Sequence, residues 1–146
     1  MKSFTPKMDG ATTLPDGRGL ASGQNINLLT ELSLGTHTFS VDSVDNLNNA
    51  GTNSVTFSVI VTPDSIKQDV TQFLQSGAIT NSGNANSLLA KLNAAAAARA
   101  RGNCSTAANL YQAFIQEVQA LSGKKINPTA AQIMILDAQY LIAHCP

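Results

Sequence analysis

The feature that most constrains this chain is a change in the spacing of its apolar residues at Thr62-Pro63. Before this point apolar and polar residues alternate, as they do along Val55–Val61, which is the period of half-buried β-strands. After it, apolar residues recur every three or four positions, which is the period of amphipathic helices. The sequence therefore predicts a β region over residues 1–62 and a helical region over residues 63–146.

The β region is predicted from two alternating segments, one around Phe39–Val41 and one over Val55–Val61. Between them, Asp45–Gly51 is rich in Asp, Asn and Gly, which favour turns, so we expect a hairpin connection there. A further short strand is predicted at Ile26–Leu29, and a turn at Asp9-Gly10. Short strands separated by turns are typical of a β-sandwich.

The helical region contains four apolar stripes, which predict four helices. Each of the first three stripes is followed by a glycine that is expected to end the helix: Gly77, Gly102 and Gly123. The fourth helix is predicted to begin at Asn127-Pro128, a cap followed by proline in the first turn. It is apolar around most of its circumference, which favours a central position. Short connections between four helices predict antiparallel neighbours.

The two cysteines fall at opposite ends of this predicted helix pair. Cys104 lies at the start of the third helix and Cys145 at the end of the fourth, so antiparallel packing brings them together. We therefore predict a Cys104–Cys145 disulfide and an oxidising compartment. The alternative is a reactive Cys145 thiol beside His144, which would need a cleft and an orienting third group.

Composition narrows the partners and the location. Charged residues make up 12% of the chain, and nine basic residues balance nine acidic ones, so nothing predicts binding to nucleic acid or to an anionic membrane. No apolar run reaches the roughly 18 residues that a membrane span needs. We expect an extracellular or cell-surface protein whose export signal lies upstream of residue 1.

Several segments of the helical region resemble a known family. The segments SLLAKLNAA, GNC, AFIQEVQALSGKKI and DAQYLI are similar to the FIMAH-type helical module found near the C-termini of secreted or surface-attached bacterial proteins. The resemblance covers residues 63–146. It implies a non-catalytic accessory module, a spacer, cap or attachment element whose partners are upstream domains of the same polypeptide, and it brings no catalytic residues.

The segment LSLGTHTFSVDSVDNLNNAGTNSVTFSVIVT resembles the closing strands of bacterial Ig-like repeats. A complete Ig-like domain needs about 100 residues, so we expect residues 1–62 to be an incomplete sandwich. The predicted fold class is thus a partial all-β Ig-like sandwich followed by an all-α antiparallel four-helix module. Either the chain is part of a longer reading frame, or another chain completes the sheet in a strand-swapped homo-oligomer, which would make it a self-assembling surface subunit.

One loop is a candidate calcium site, and no other cofactor is predicted. Its oxygen-bearing residues are Asp42, Asp45, Asn46, Asn48 and Asn49. Calcium prefers such ligands, but Leu47 occupies the third position of the loop and no acidic residue closes it, so the EF-hand pattern is not met. The competing interpretation is a solvated hairpin loop.

Catalytic motifs are not evident in the sequence. His37 and His144 stand in no catalytic or metal-binding spacing; His37 is expected to bond locally at the edge of the core, and His144 to lie near a helix C-terminus. Asp137 is the one charge on the most apolar helix. Burial of an unpaired charge is costly, so we predict that Lys91 or Arg99 neutralises Asp137.

Carbohydrate or cell-wall polymer binding is the alternative function. Sugar rings usually stack on exposed aromatic side chains, whereas this chain has no Trp and only 5% aromatic residues. Tyr111 and Tyr140 both lie on predicted apolar helices, which favours core positions for both. An intermolecular β-strand would instead favour the assembly hypothesis.

Overall fold

The computed structural model describes residues 2–27, 29 and 31–146. Three strands precede four helices, and they are β1 (Ser3–Met8), β2 (Gly35–Val44), β3 (Ala50–Val59), α1 (Pro63–Gln75), α2 (Ser82–Ala100), α3 (Cys104–Leu121) and α4 (Pro128–Ala143). The chain divides into two compact units, here called the β unit (residues 1–60) and the helical unit (residues 61–146). The predicted fold class, a partial β region followed by four helices, is confirmed.

The β unit is built on one antiparallel sheet with the strand order β1-β2-β3. Met8 pairs with Phe39, and Phe39 pairs with Val55, so these three side chains share one face of the sheet. At one end of that face lies a small core, formed by Met8, Leu14, Leu32 and Val59. Leu14 and Leu32 come from the connection between β1 and β2, which therefore covers part of the sheet.

Two features of the β unit differ from the prediction. Strand β1 was not predicted, because Pro6 interrupts its alternating pattern; Pro6 is tolerated because β1 is an edge strand and need not donate on its outer side. The predicted strand at Ile26–Leu29 is wrong for Ile26, Asn27 and Leu29, which lie in loop and turn conformations. Leu28 lies outside the described residues.

The first and fourth helices begin at the predicted signals, and the first three end just before the predicted glycines. Thr62 caps α1 in a reciprocal capping box with Ser65, and Pro63 occupies the first turn. The side chain of Asn127 caps α4 by accepting from the backbone N–H of Thr129 at 2.9 Å. The three predicted stop glycines all have positive φ, between 71° and 78°, which suits glycine: Gly77, Gly102 and Gly123.

The helices pack in a ring, in which α1 contacts α2 and α4, and α3 contacts α2 and α4. The largest fully buried side chains among the described residues all belong to this unit: Tyr111, Phe114, Ile66, Ile79, Leu88, Leu92, Ile126, Met134, Leu141, Val70 and Val118. The prediction that α4 is central is wrong, since its Leu136 remains 47% exposed. Among the described residues, no helix combines the length and apolar character needed to span a membrane.

Candidate functional site: a buried aspartate pair

The helical unit buries two acidic side chains against each other. Asp69 of α1 is 8% exposed and Asp137 of α4 is 5% exposed, and their carboxyl groups lie within hydrogen-bonding reach. Asp69 is drawn inward because it lies three residues after Ile66 and four before Phe73, in the middle of the buried stripe of α1. Packing of α1 on α4 therefore brings two carboxyl groups together in the core.

The environment of this pair favours protonation. The pKa of Asp137 is raised to about 7, first by burial and then by the charge and the hydrogen bond of the adjacent Asp69. Burial also raises the pKa of Asp69. One oxygen of Asp137, Oδ2, has no hydrogen-bond partner among the described residues. Two adjacent buried carboxyls cannot readily ionise together, so near neutral pH the pair is expected to hold one proton.

The predicted neutralisation of Asp137 by Lys91 or Arg99 is wrong. The Lys91 Nζ atom lies 2.6 Å from Oε2 of Glu117, on α3. The Arg99 guanidinium donates to the backbone carbonyl of Leu141 at 2.7 Å, and also to that of His144, so it caps the end of α4. Both cations are thus engaged elsewhere, and the charged group that adjoins Asp137 is Asp69 of α1.

The predicted Cys104–Cys145 disulfide is present and joins the start of α3 to the end of α4. The two Cα atoms are 5.8 Å apart, a usual separation for a disulfide. The alternative of a reactive Cys145 thiol is wrong, because its sulfur is bonded to Cys104. Arg99 caps the same end of α4, so this end of the bundle is held covalently and by hydrogen bonds.

His37 is buried and bonded on both ring nitrogens. Its Nδ1 lies 2.7 Å from Oδ2 of Asp9, and its Nε2 lies 2.7 Å from the carbonyl oxygen of Ser33. Both partners are acceptors, so only the doubly protonated ring can donate to both. The hydrogen bond with Asp9 accordingly raises the pKa of His37. The predicted local hydrogen bond is the one to Ser33; the bond to Asp9, 28 residues away, is a tertiary contact, so His37 joins three segments of the β unit.

His144 follows the last turn of α4, where its backbone N–H bonds to the Tyr140 carbonyl. Its ring stacks on that of Tyr140, with centroids 4.0 Å apart. Tyr111 is only 1% exposed and is a core residue, as predicted. The two tyrosines therefore do not form a shared exposed platform for a sugar ring, since one ring is enclosed and the other is stacked on His144.

The proposed calcium ligands lie around the β2–β3 hairpin: Asp42, Asp45, Asn46, Asn48 and Asn49. The Asp45 carboxylate accepts from the backbone N–H groups of Leu47 and Asn49 and from the Asn49 side chain. Asp42 instead pairs with Lys7, at 2.6 Å. Among the described residues, no three His, Cys, Asp or Glu side chains converge as metal ligands. Calcium binding stays a prediction. The alternative is that these carboxylates order the loop through the hydrogen bonds and the ion pair described above.

Comparison with known proteins identifies the helical unit. The sequence model of the FIMAH domain family matches residues 63–143, from the first residue of α1 to the last residue of α4. No curated protein and no solved structure matches the chain. The match includes both members of the aspartate pair and Cys104.

Proposed function

Because the chain belongs to the FIMAH domain family, we propose that it is a non-catalytic accessory part of a secreted or surface-attached bacterial multidomain protein. Its role is that of a spacer, cap or attachment element for other domains of the same polypeptide. The family match over residues 63–143 carries this proposal.

Two features of the described residues support it. The Cys104–Cys145 bridge favours an oxidising compartment, such as the extracellular space. Both nitrogens of His37 are occupied by structural acceptors, so neither is free to act as a general base. These features agree with a module that is built for stability outside the cell.

The location is tested by fractionating the bacteria that produce the protein and detecting the helical unit with an antibody. We expect the antigen in the medium or on the protease-accessible surface, within a polypeptide larger than 15.2 kDa. Thiol labelling without reductant should leave Cys104 and Cys145 unmodified. A cytoplasmic antigen with two free thiols would refute the proposal.

A second candidate function, assembly by strand addition, is favoured by the edge formed by β3. Within the described residues, the order β1-β2-β3 leaves β3 at the edge of the sheet. Its ten residues, Ala50–Val59, contain no charge and no proline. Natural edge strands usually carry such residues to prevent pairing. The edge formed by β1, in contrast, carries Pro6 and Lys7.

Light scattering over a range of concentrations tests this second function. If β3 pairs with β3 of another copy, the mass should rise with concentration, and Val55→Lys should keep the chain monomeric by placing a charge on the edge strand. The matched control is Thr5→Lys on β1, which should leave the assembly intact. A wild-type chain that stays monomeric would rule out self-assembly.

A further inference from the structure

We propose that Asp69 and Asp137 form a proton-operated latch between α1 and α4. The latch is closed when the two carboxyls share a proton, and it opens when both are ionised. It is a property of the helical unit alone and does not depend on where the protein is located or what it is attached to.

The geometry of the pair carries this proposal. Asp69 and Asp137 project from facing helices, both are more than nine-tenths buried, and Oδ2 of Asp137 receives no hydrogen bond from the described residues. A shared proton would give the pair one hydrogen bond and one negative charge. Its loss would leave two adjacent charges in an apolar core, which is far more costly.

The other ionisable groups of the packed helices do not relieve this repulsion. On α1, Lys67 pairs with Asp64 at 2.8 Å. Between α2 and α3, Lys91 pairs with Glu117. The other ionisable side chains of the four helices are Arg99, Tyr111 and Tyr140. Arg99 donates to the carbonyls of Leu141 and His144, Tyr111 is buried in the core, and Tyr140 stacks on His144. Among the described residues, Asp69 is the one charged group that shifts the pKa of Asp137.

Helix α1 is the part that we expect to move. The disulfide fixes α4 to α3, and the Lys91–Glu117 ion pair links α3 to α2. Among the described residues, α1 has no such covalent or ionic link to another helix; it packs on α2 and α4 and shares the aspartate pair with α4. Ionisation of both carboxyls therefore acts on the least restrained of the four helices.

The direction of the pH dependence follows from the raised pKa of Asp137, which moves from 3.8 to about 7 in the folded state. The folded chain then binds a proton more tightly than the unfolded chain does, so the stabilising contribution is full below about pH 4. It declines as the pH rises and is lost above about pH 7. A shift of about three units corresponds to about a 1,000-fold change in the folding equilibrium constant.

The test compares the wild-type chain with Asp137→Asn, which keeps the shape of the side chain but cannot ionise. Urea unfolding is followed by circular dichroism at 222 nm, which reports the helices, between pH 4 and pH 8.5. The folding equilibrium constant of the variant relative to wild type should rise by about 100- to 1,000-fold over this range. Hydrogen exchange, corrected for intrinsic rates, should show that protection of α1 falls with pH in wild type while that of α3 is kept.

The matched control is Asp64→Asn, which removes an exposed carboxylate from the same helix and should leave the pH dependence of wild type unchanged. Asp69→Asn, expected to behave as Asp137→Asn does, provides a second variant if the first does not fold. Parallel pH profiles for wild type and the folded variants would overturn the proposal. Equal loss of protection in α1 and α3 would also overturn it, because a latch releases α1 first.

Discussion

The β unit and the helical unit are stabilised in different ways. Of the residues that the structure describes, the largest fully buried side chains all lie in the helical unit, which also contains a disulfide. The β unit has a four-residue core and relies more on polar links, such as His37 with Asp9 and Lys7 with Asp42. Its stability thus depends more on ionised groups near the surface, whereas that of the helical unit depends on apolar burial and a covalent link.

The acidic groups of the two units should also respond to pH in different ranges. In the β unit, hydrogen bonds from His37 and Lys7 hold the pKa of Asp9 and Asp42 below the ordinary value. Those contributions are present above about pH 4 and are lost as the pH falls through the lowered pKa of each carboxyl. In the helical unit, burial raises the pKa of Asp137, so acidification strengthens the bundle. Acidification from pH 7 to about pH 4 should therefore stabilise the helical unit, whereas the β unit should lose its carboxylate contributions only below about pH 4.

The largest effect that separates the units should come from removing the disulfide. The double variant Cys104→Ser with Cys145→Ser opens a loop with a sequence separation of 41 residues, which in the chain-entropy model costs about 4 kcal/mol. Urea unfolding followed at 222 nm should show this loss in the helices. NMR resonances of the sheet should melt at an unchanged urea concentration, and a shift of both units together would contradict independent stabilisation.

Core truncation should cost more in the helical unit than in the β unit. Leu92→Ala removes a side chain that is 1% exposed from a large core, and we expect a loss of about 3 kcal/mol in the free energy of unfolding. Leu14→Ala, at 2% exposure in the small core of the β unit, should cost about 2 kcal/mol, because partly exposed neighbours can collapse into the space. Equal losses in chemical denaturation would remove this contrast.

A smaller effect is expected at the start of α4. Asn127→Ala removes the side-chain acceptor of the Thr129 N–H and should destabilise the helical unit by about 1 kcal/mol. Asn127→Asp, which can still accept this hydrogen bond, serves as the control and should retain most of the stability. Thermal unfolding followed at 222 nm measures both, and equal losses in the two variants would argue against the capping role.

The smallest effect concerns His37 and is best observed spectroscopically. Its raised pKa means that the His37–Asp9 link contributes fully below about pH 6.5 and is lost as the pH rises through the folded-state pKa. Because Asp9 is about half exposed, the effect on stability should be under about 1 kcal/mol. NMR titration of the His37 ring should give a midpoint above 6.5, and Asp9→Asn should lower it. An unchanged midpoint would show that the link is not formed in solution.

Local sequence signals were sufficient to predict the helices. Helix starts and ends depend on residues within one turn, such as Asn127 and Gly123, so the sequence contains the necessary information. The disulfide was predictable because the order of antiparallel helices determines which ends meet. Strand β1 was not predicted because a sheet tolerates proline mainly in its edge strands, and the sequence alone does not reveal which strand lies at an edge.

The aspartate pair was missed for a similar reason. The position of Asp69 within the apolar stripe of α1 was a usable signal, since residues at such positions face the core. Which helix face meets Asp137 depends on how the four helices pack around the ring. The prediction placed a basic side chain, Lys91 or Arg99, where the structure has Asp69. Pairing between helices is a tertiary property, and charge complementarity alone predicted the wrong partner.

The Cys104–Cys145 bridge also determines how the chain would respond to mechanical force. If tension is applied at the two ends of this chain, the load passes through the bond between the sulfurs, and the segment between the cysteines is shielded from it. Of the helical unit, only α1 and α2 can then unravel, each residue adding at most about 3.6 Å of length. Single-molecule pulling should therefore show a short extension for the helical unit under oxidising conditions and a longer one after reduction.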